Sequence, residues 1–369
     1  MIAVTGGGTG GHIFPNIAII EELGKRGRSE VFWIGEKGGK EQSWSVKAGV
    51  PFYGIRTGKL RRYFSLRNFS DLLWIAIGTL QSFFILLRKR PSLLFSKGGF
   101  VSVPPVVASR LLRLVGIRIP VITHESDVNP GLATRIIARF ASCVCVSFEK
   151  TRSYLPGVKT VVTGNPVREA IRRGDREKGL SFLGFRGRES GPPVVLVVGG
   201  SLGARALNGA VREMLGSGDI PFCLVHQCGV GNYDPSFPDG EKYRQFEFID
   251  REMGDVLAAA GLVVSRAGAG ALYELGVRKK ASILVPLPRS KSRGEQIENA
   301  RVFEAAGAAA VIDDEQLNGE SLSRAIGRLL QNKAGLEEMG EKAKTLCTLD
   351  AEKLIVDLID ETIGGGSRG

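Results

Sequence analysis

Two glycine-rich turns constrain this chain more than any other feature. The first, "TGGGTGGH" at 5–12, follows the apolar run "IAV" and opens the helix-like pattern "PNIAIIEELGKRG". The second, "GGSLGAR" at 199–205, follows "VVLVV" and opens another helix-like pattern. Gly7, Gly8, Thr9, Gly11 and Asn16 are matched by Gly199, Gly200, Ser201, Gly203 and Asn208, every pair 192 positions apart. A strand that ends in glycines and runs into a helix brings backbone N–H groups close to an anion. The helix N-terminus adds roughly half a positive charge there. Phosphate is the natural ligand, with the Thr9 and Ser201 hydroxyls as further donors.

Strand and helix patterns alternate along the whole chain. Strand-like runs lie at 2–4, 31–34, 92–96, 120–123 and 143–147, then at 194–198, 222–227, 245–249, 262–265 and 281–287. Helical patterns separate them. This rhythm predicts an α/β fold of parallel sheets covered on both faces. A length of 369 residues suits two domains. The segment 164–193, charged and rich in glycine and proline, reads in part as their junction. The expected domains are 1–164 and 165–349, two similar doubly wound units with a cleft between them. Ligands of such folds bind at the carboxyl ends of the strands.

The net charge of +12 favours anionic partners. Nucleic acid is not expected, because no recognition motif or basic stripe with interleaved aromatics accompanies the charge. The five cysteines show no C-x-x-C spacing and read as buried free thiols of a reducing compartment. No D-x-D motif and no His/Cys cluster of metal-ligand spacing occurs, so neither metal nor cofactor is expected. The N-terminus lacks a basic n-region and an unbroken apolar core, which points to the cytoplasm. One apolar stretch, Leu72 to Leu87, is interrupted by Gly78, Thr79, Gln81 and Ser82. It falls short of the ~20 apolar residues a span needs. It reads as a core helix or as a surface helix meeting anionic headgroups through Arg88, Lys89 and Arg90.

Further candidates follow from position. "KGGFVS" at 97–102 is a third glycine turn. "SRAGAGALYELG" at 265–276 is a small-residue turn opening a helix, with Glu274 placed to accept ribose hydroxyls. Glu295, Gln296 and Asn299 surround another helix start, where they would read sugar hydroxyls or cap the helix. His12 and His124 are expected at carboxyl ends of strands, whereas His226 is mid-strand and structural. The first turn lacks the G-x-x-x-x-G-K-[ST] pattern, and no acidic residue follows a clean G-x-G-x-x-G, which disfavours a nucleotide-hydrolysing loop and NAD.

"GGGTGGHIFP", "KGGFVSVP", "HESDVNPG", "GNPVR", "GGSLGAR", "SRAGAGALYELG" and "RGEQIENA", in this order, resemble the MurG family of peripheral membrane glycosyltransferases. The resemblance covers nearly the whole chain. It implies the GT-B architecture of two Rossmann-like domains, with a C-terminal helix near 350–363 that packs back on the first. It implies transfer of N-acetylglucosamine from UDP-GlcNAc to the muramoyl 4-hydroxyl of lipid I, an undecaprenyl-diphosphate-linked muramoyl peptide, at the cytoplasmic face of the cell membrane. By motif match, Thr9, Gly10 and Gly11 line the cleft, and Arg168 and Ser201 lie near the donor phosphates and sugar. Ile249 offers backbone groups to uracil. Ala269, Gly270, Ala271, Leu272 and Glu274 surround the nucleotide, and Gln296 reads the GlcNAc hydroxyls. Asp127 and Glu295 stand where many members carry asparagine and glutamine.

The implied reaction inverts the anomeric centre and needs a base for the acceptor proton. His12 is the first candidate and Glu125 the second; His12 is otherwise structural or a ligand of the acceptor diphosphate. A diacylglycerol glucosyltransferase and a UDP-sugar epimerase share the two-domain plan and remain alternatives.

Overall fold

The computed structural model describes residues 1–58, 67–185, 191–200 and 203–365. The chain divides into two compact units. The first joins residues 1–168 to the C-terminal segment from Asp350; the second spans Glu169–Leu349.

The first unit holds a seven-stranded sheet of β1 (Ile2–Thr5), β2 (Val31–Glu36), β3 (Phe52–Ile55), β4 (Leu93–Ser96), β5 (Val121–Glu125), β6 (Cys143–Val146) and β7 (Thr160–Val162). The strands are all parallel, in the order β3-β2-β1-β4-β5-β6-β7. Alternate residues of β1 face opposite layers, as the period-two geometry of a strand requires. Ile2 and Val4 pack with Ile13, Ile17 and Leu23 of the helix Gly10–Lys25 and with Ile355, Val356 and Ile359 of the helix Ala351–Gly365. Ala3 joins Phe32, Ile34, Val106 and Leu112 on the other side. Each large apolar side chain so buried contributes about 1.5–3 kcal/mol. Arg26 ties the two helices of the first layer together through Asp357 at 2.6 Å.

The second unit repeats the plan with six parallel strands, β8 (Val194–Val198), β9 (Cys223–Gln227), β10 (Tyr243–Phe246), β11 (Leu262–Ser265), β12 (Ser282–Leu284) and β13 (Ala310–Val311). Their order is β10-β9-β8-β11-β12-β13. In both sheets the first strand lies between the second and the fourth of its unit. The strand order reverses there, the topological switch point at which doubly wound folds bind ligands.

All five cysteines are buried and unpaired. The apolar stretch near 72–87 belongs to a longer helix, Arg67–Lys89. Its Ser70–Lys89 portion is long and apolar enough to cross a membrane by length and composition. That differs from the expectation of a stretch too short to span. The reason is length: the helix continues past the apolar stretch at both ends and runs unbroken through Gly78, Thr79, Gln81 and Ser82. Gly78 and Ser82 are buried, and the Gln81 carboxamide oxygen accepts the Arg56 N–H at 2.8 Å. Leu72, Leu73, Leu80 and Phe84 are 58–59% exposed. This helix turns Gly78, Ser82 and Leu86 toward the fold and Leu72, Leu73, Leu80 and Phe84 outward.

Candidate active site

In the first unit, three loops meet at the carboxyl ends of β1, β4 and β5. The glycine turn after β1 is completed by a residue far away in sequence, Glu41. Its side chain is fully buried; one oxygen accepts the Gly8 N–H at 3.1 Å and the other the Glu36 N–H at 2.8 Å. A Cβ on Gly7 would overlap this carboxylate, so the turn admits Glu41 only because residue 7 has no side chain. Burial, and then the Glu41 charge, push the neighbouring Glu36 carboxyl up from its ordinary range. Thr9 is the N-cap of the helix Gly10–Lys25 and makes no side-chain capping bond. Thr9 and Gly11 are exposed, and Gly10 and His12 are half-buried.

His12 Nδ1 lies 3.2 Å from the Lys97 carbonyl oxygen. A carbonyl only accepts, so Nδ1 carries the proton and Nε2 the lone pair, the tautomer a base needs. The same Lys97 buries its ammonium, which donates to Ser126 Oγ at 2.7 Å; Ser126 Oγ donates to Asn165 Oδ1 at 2.6 Å. Burial lowers the Lys97 pKa to about 8, against the opposing charges of Glu125 and Asp127. Lys97 thus links the third glycine turn to the first turn and to the "HESD" and "GNPVR" loops.

Glu125 ends β5. Its two oxygens accept the Asp127 and Gly131 N–H groups at 3.0 and 3.1 Å, which holds the loop carrying Ser126 and Asp127. His124 is fully buried and donates from Nε2 to the Gly164 carbonyl at 2.8 Å. Burial first, and Lys97 next, keep its ring neutral well below the usual histidine range. The Arg168 guanidinium lies over the Phe14 ring at 4.1 Å.

In the second unit the turn after β8 is braced by a relay of neutral groups. Asn208 Nδ2 donates to the Cys228 carbonyl at 2.9 Å, so its Oδ1 accepts from His226 Nε2 at 3.0 Å. His226 Nδ1 then accepts from the Tyr243 hydroxyl at 3.0 Å. Burial lowers the His226 pKa to about 4, with Arg212 adding to the effect, so the ring stays neutral. Gly203 has φ +74°, and a Cβ there would overlap the Cys228 carbonyl oxygen that the relay fixes. Ser201, matched to the donor by motif, lies outside the described residues. The helix Arg205–Gly216 begins after Ala204, which gives its N-terminus no side-chain cap.

The helix Ala269–Val277 follows β11, with Gly268 as N-cap and again no side-chain capping bond. Asn299 Nδ2 donates to the Ala267 carbonyl at 3.1 Å and fixes the approach to this turn. Ala269 and Leu272 are buried, while Gly270, Ala271 and Glu274 are half-exposed along the helix. Leu272 is core, and its N–H bonds to Gly268 within the helix at 3.1 Å. Gln296 Oε1 accepts the Leu287 N–H at 3.1 Å, which leaves its amide hydrogens to donate. The neighbouring Glu295 accepts the Arg293 N–H at 2.9 Å. Ile249 is buried, and its N–H donates to Gln227 Oε1 at 2.9 Å; its carbonyl is the group left to offer.

Two features had no reading in the motifs. Arg266, the residue after β11, donates to the Val285 carbonyl at 3.0 Å and to Asp314 at 2.6 Å, and Lys291 reaches the same carboxylate at 3.1 Å. Burial pushes the Asp314 carboxyl up, but Arg266 and Lys291 outweigh it and hold the group below its ordinary value. Its place at the strand end beside the small-residue turn was the available signal for Arg266. Glu41 left none, because its partners are backbone amides. Among the described residues no group of three or more His, Cys, Asp or Glu side chains gathers as metal ligands.

Known proteins resemble the chain over its full length. Residues 2–146 match the glycosyltransferase family 28 N-terminal domain and residues 194–355 its C-terminal domain. A Bacillus cereus UDP-N-acetylglucosamine--N-acetylmuramyl-(pentapeptide) pyrophosphoryl-undecaprenol N-acetylglucosamine transferase is 42% identical, covering 98% of this chain and 99% of that protein. A Clostridium perfringens transferase of the same name is 41% identical over 90% of each chain. The crystal structure of Acinetobacter baumannii MurG superposes with a TM-score of 0.75 at 27% identity, covering 98% of this chain and 99% of that one. A Listeria monocytogenes putative UDP-N-acetylglucosamine 2-epimerase, covering 99% of this chain and 96% of its own, reaches a TM-score of 0.68 at 15% identity, a likeness of fold alone.

Proposed function

The chain belongs to glycosyltransferase family 28, and from that membership we infer that it transfers N-acetylglucosamine from UDP-GlcNAc to the muramoyl 4-hydroxyl of lipid I, giving lipid II. Full-length similarity to transferases named for this reaction carries the inference. The site residues have chemistry to match. The acceptor hydroxyl attacks the anomeric carbon as UDP leaves, and negative charge grows on the β-phosphate oxygen. Backbone N–H groups of the second glycine turn and the helix start behind it are our preorganised donors for that charge, with Ser201 assigned to it by motif. Arg168 is assigned by its motif to the same diphosphate. Glu274 takes the ribose hydroxyls, the Ile249 carbonyl the uracil N–H, and Gln296 the sugar hydroxyls. His12 is our general base, since its tautomer leaves Nε2 to take the proton. Glu125 serves instead to hold its loop, because both its oxygens already accept backbone N–H groups.

The acceptor's polyprenyl tail stays in the bilayer, so the protein must come to the inner leaflet. The outward apolar face of the helix Arg67–Lys89, with exposed Arg88 and Arg90, is our docking surface. Lys59, Arg61 and Arg62, which the sequence also offers for this role, lie outside the described residues.

The test is a transfer assay with radiolabelled UDP-GlcNAc. Label should enter lipid only when lipid I is supplied, and should do so in EDTA. Release of a free epimer without acceptor, or equal labelling of diacylglycerol, would overturn the reading in favour of the two alternatives.

A further inference from the structure

A carboxylate that leaves water entirely needs strong partners to offset its lost hydration. Glu41 finds them in the first glycine turn and in β2, at the Gly8 and Glu36 N–H groups. Those two amides belong to segments 28 residues apart, and Glu41 itself starts the helix Lys40–Lys47. One side chain therefore fixes the turn, the end of β2 and its own helix relative to one another. The position it takes, against the amide of a glycine turn that opens a helix, is the one a phosphate takes in other doubly wound folds. The second unit has the matching glycines, but among the described residues no carboxylate bonds to its turn.

We propose that Glu41 is a positioning residue, the resident anion of the first glycine turn. It locks Gly8 and through it the Thr9–His12 segment that receives the acceptor. The acceptor half of the proposal rests on the transferase reading above; the resident-anion half does not.

Two variants test the proposal. Glu41→Ala leaves two backbone N–H groups around a space the size of a carboxylate. We expect kcat/KM for lipid I to fall about tenfold to a hundredfold, from the usual strength of charged hydrogen bonds. UDP affinity should stay within about twofold of the parent's. Sodium formate, compared with sodium chloride at equal ionic strength, should refill the space, raise the variant's melting temperature and restore part of the activity. The parent should not respond. Glu41→Gln keeps the shape and removes the charge; it should fall between the parent and Glu41→Ala in melting temperature and acceptor kinetics, and should gain nothing from formate. Parental acceptor kinetics in Glu41→Ala, or a loss that formate leaves untouched in both melting and activity, would overturn the resident anion. A response of Glu41→Gln to formate as large as that of Glu41→Ala would overturn it as well, since no space has then been refilled. A parent inactive with lipid I would instead sink the transferase reading, and the formate-dependent melting would still decide the anion.

Discussion

The glycine turn of the first unit and that of the second leave equivalent strands, β1 and β8, at the centre of sheets with the same order. They are completed by different chemistry. The first is closed by a buried carboxylate, Glu41, and by a lysine hub whose carbonyl orients His12. The second is closed by a neutral relay, Tyr243–His226–Asn208, that pins the Cys228 carbonyl beside Gly203. A duplicated backbone motif therefore does not mean a duplicated ligand. Residues outside the motif set the charge of each turn. The first comes with its negative charge built in; the second is braced by neutral groups.

Alanine at the glycines tests this difference most directly. Gly203→Ala combines a left-handed backbone with a Cβ overlapping a fixed carbonyl. We expect a cost near the top of the point-mutant range, about 3–4 kcal/mol, and loss of measurable UDP binding. Gly7→Ala meets only the end of a side chain, Glu41, at an ordinary φ. It should cost about 1–2 kcal/mol by displacing that carboxylate and leave UDP affinity nearly unchanged. Denaturant melts and calorimetry with UDP on both variants read the contrast; equal effects on UDP would erase it.

The relay in the second unit also makes a pH prediction. His226 titrates near 4 when folded, against an ordinary 6.5. Between those values the unfolded chain binds a proton that the folded one refuses, so stability falls as pH drops from about 6.5 to 4 and no further from this group below 4. The loss approaches about 3 kcal/mol at the lower end. His124 is depressed in the same direction in the first unit. Melting curves of the parent and of His226→Gln from pH 7 to 4.5 should show a shallower slope in the variant. Identical slopes would assign the acid sensitivity elsewhere.

Glu274→Ala concerns the donor alone. Two ribose hydroxyls lose a charged acceptor, worth about 1.5–3 kcal/mol, or one to two decades of UDP affinity. Unchanged affinity in a folded variant would remove Glu274 from the pocket and weaken the assignment of the diphosphate to its unit.

How much of this was legible beforehand follows from where each signal resides. The central strands carry theirs in their own residues: continuous apolar runs such as Val194–Val198 are what a strand buried on both faces looks like. The strands β3, β7 and β13 escaped because they are short and only partly buried, and their register comes from a neighbour, as in Trp33↔Phe52. The run at 245–249 was shifted: β10 ends at Phe246, and Ile249 is caught by the Gln227 side chain. At the site, the glycine turns were readable because their geometry is local. Glu41 was not, since nothing near position 41 announces that Gly8 will be its partner. Lys97 was visible as part of a turn, but its burial and its bond to Ser126 depend on three loops converging.

The units differ last in their outer surface, and the smallest expected effect concerns that. The helix Arg67–Lys89 of the first unit presents Leu72, Leu73, Leu80 and Phe84 outward, while Trp74 and Phe83 are half-buried, Trp74 beneath the Arg56 guanidinium at 4.4 Å. In our docking proposal the aliphatic residues and Phe84 are thus the inserting groups, and the basic residues at the helix end would add attraction. Each basic group near an anionic leaflet contributes about 1 kcal/mol, fading within a Debye length. Lys89 lies over the Tyr53 ring at 5.2 Å, so Arg88 and Arg90, both exposed, should carry most of it. Replacing Arg88, Lys89 and Arg90 by glutamine should weaken co-sedimentation with anionic liposomes, and added salt should weaken the parent likewise. Leu80→Ser with Phe84→Ser should lower binding to neutral and anionic vesicles alike, because it removes the apolar term. UDP binding, which we assign to the second unit, should be untouched by either set. If the parent ignores anionic vesicles at low salt, or the triple variant binds them equally well, the two units do not differ in this respect and the docking surface lies elsewhere.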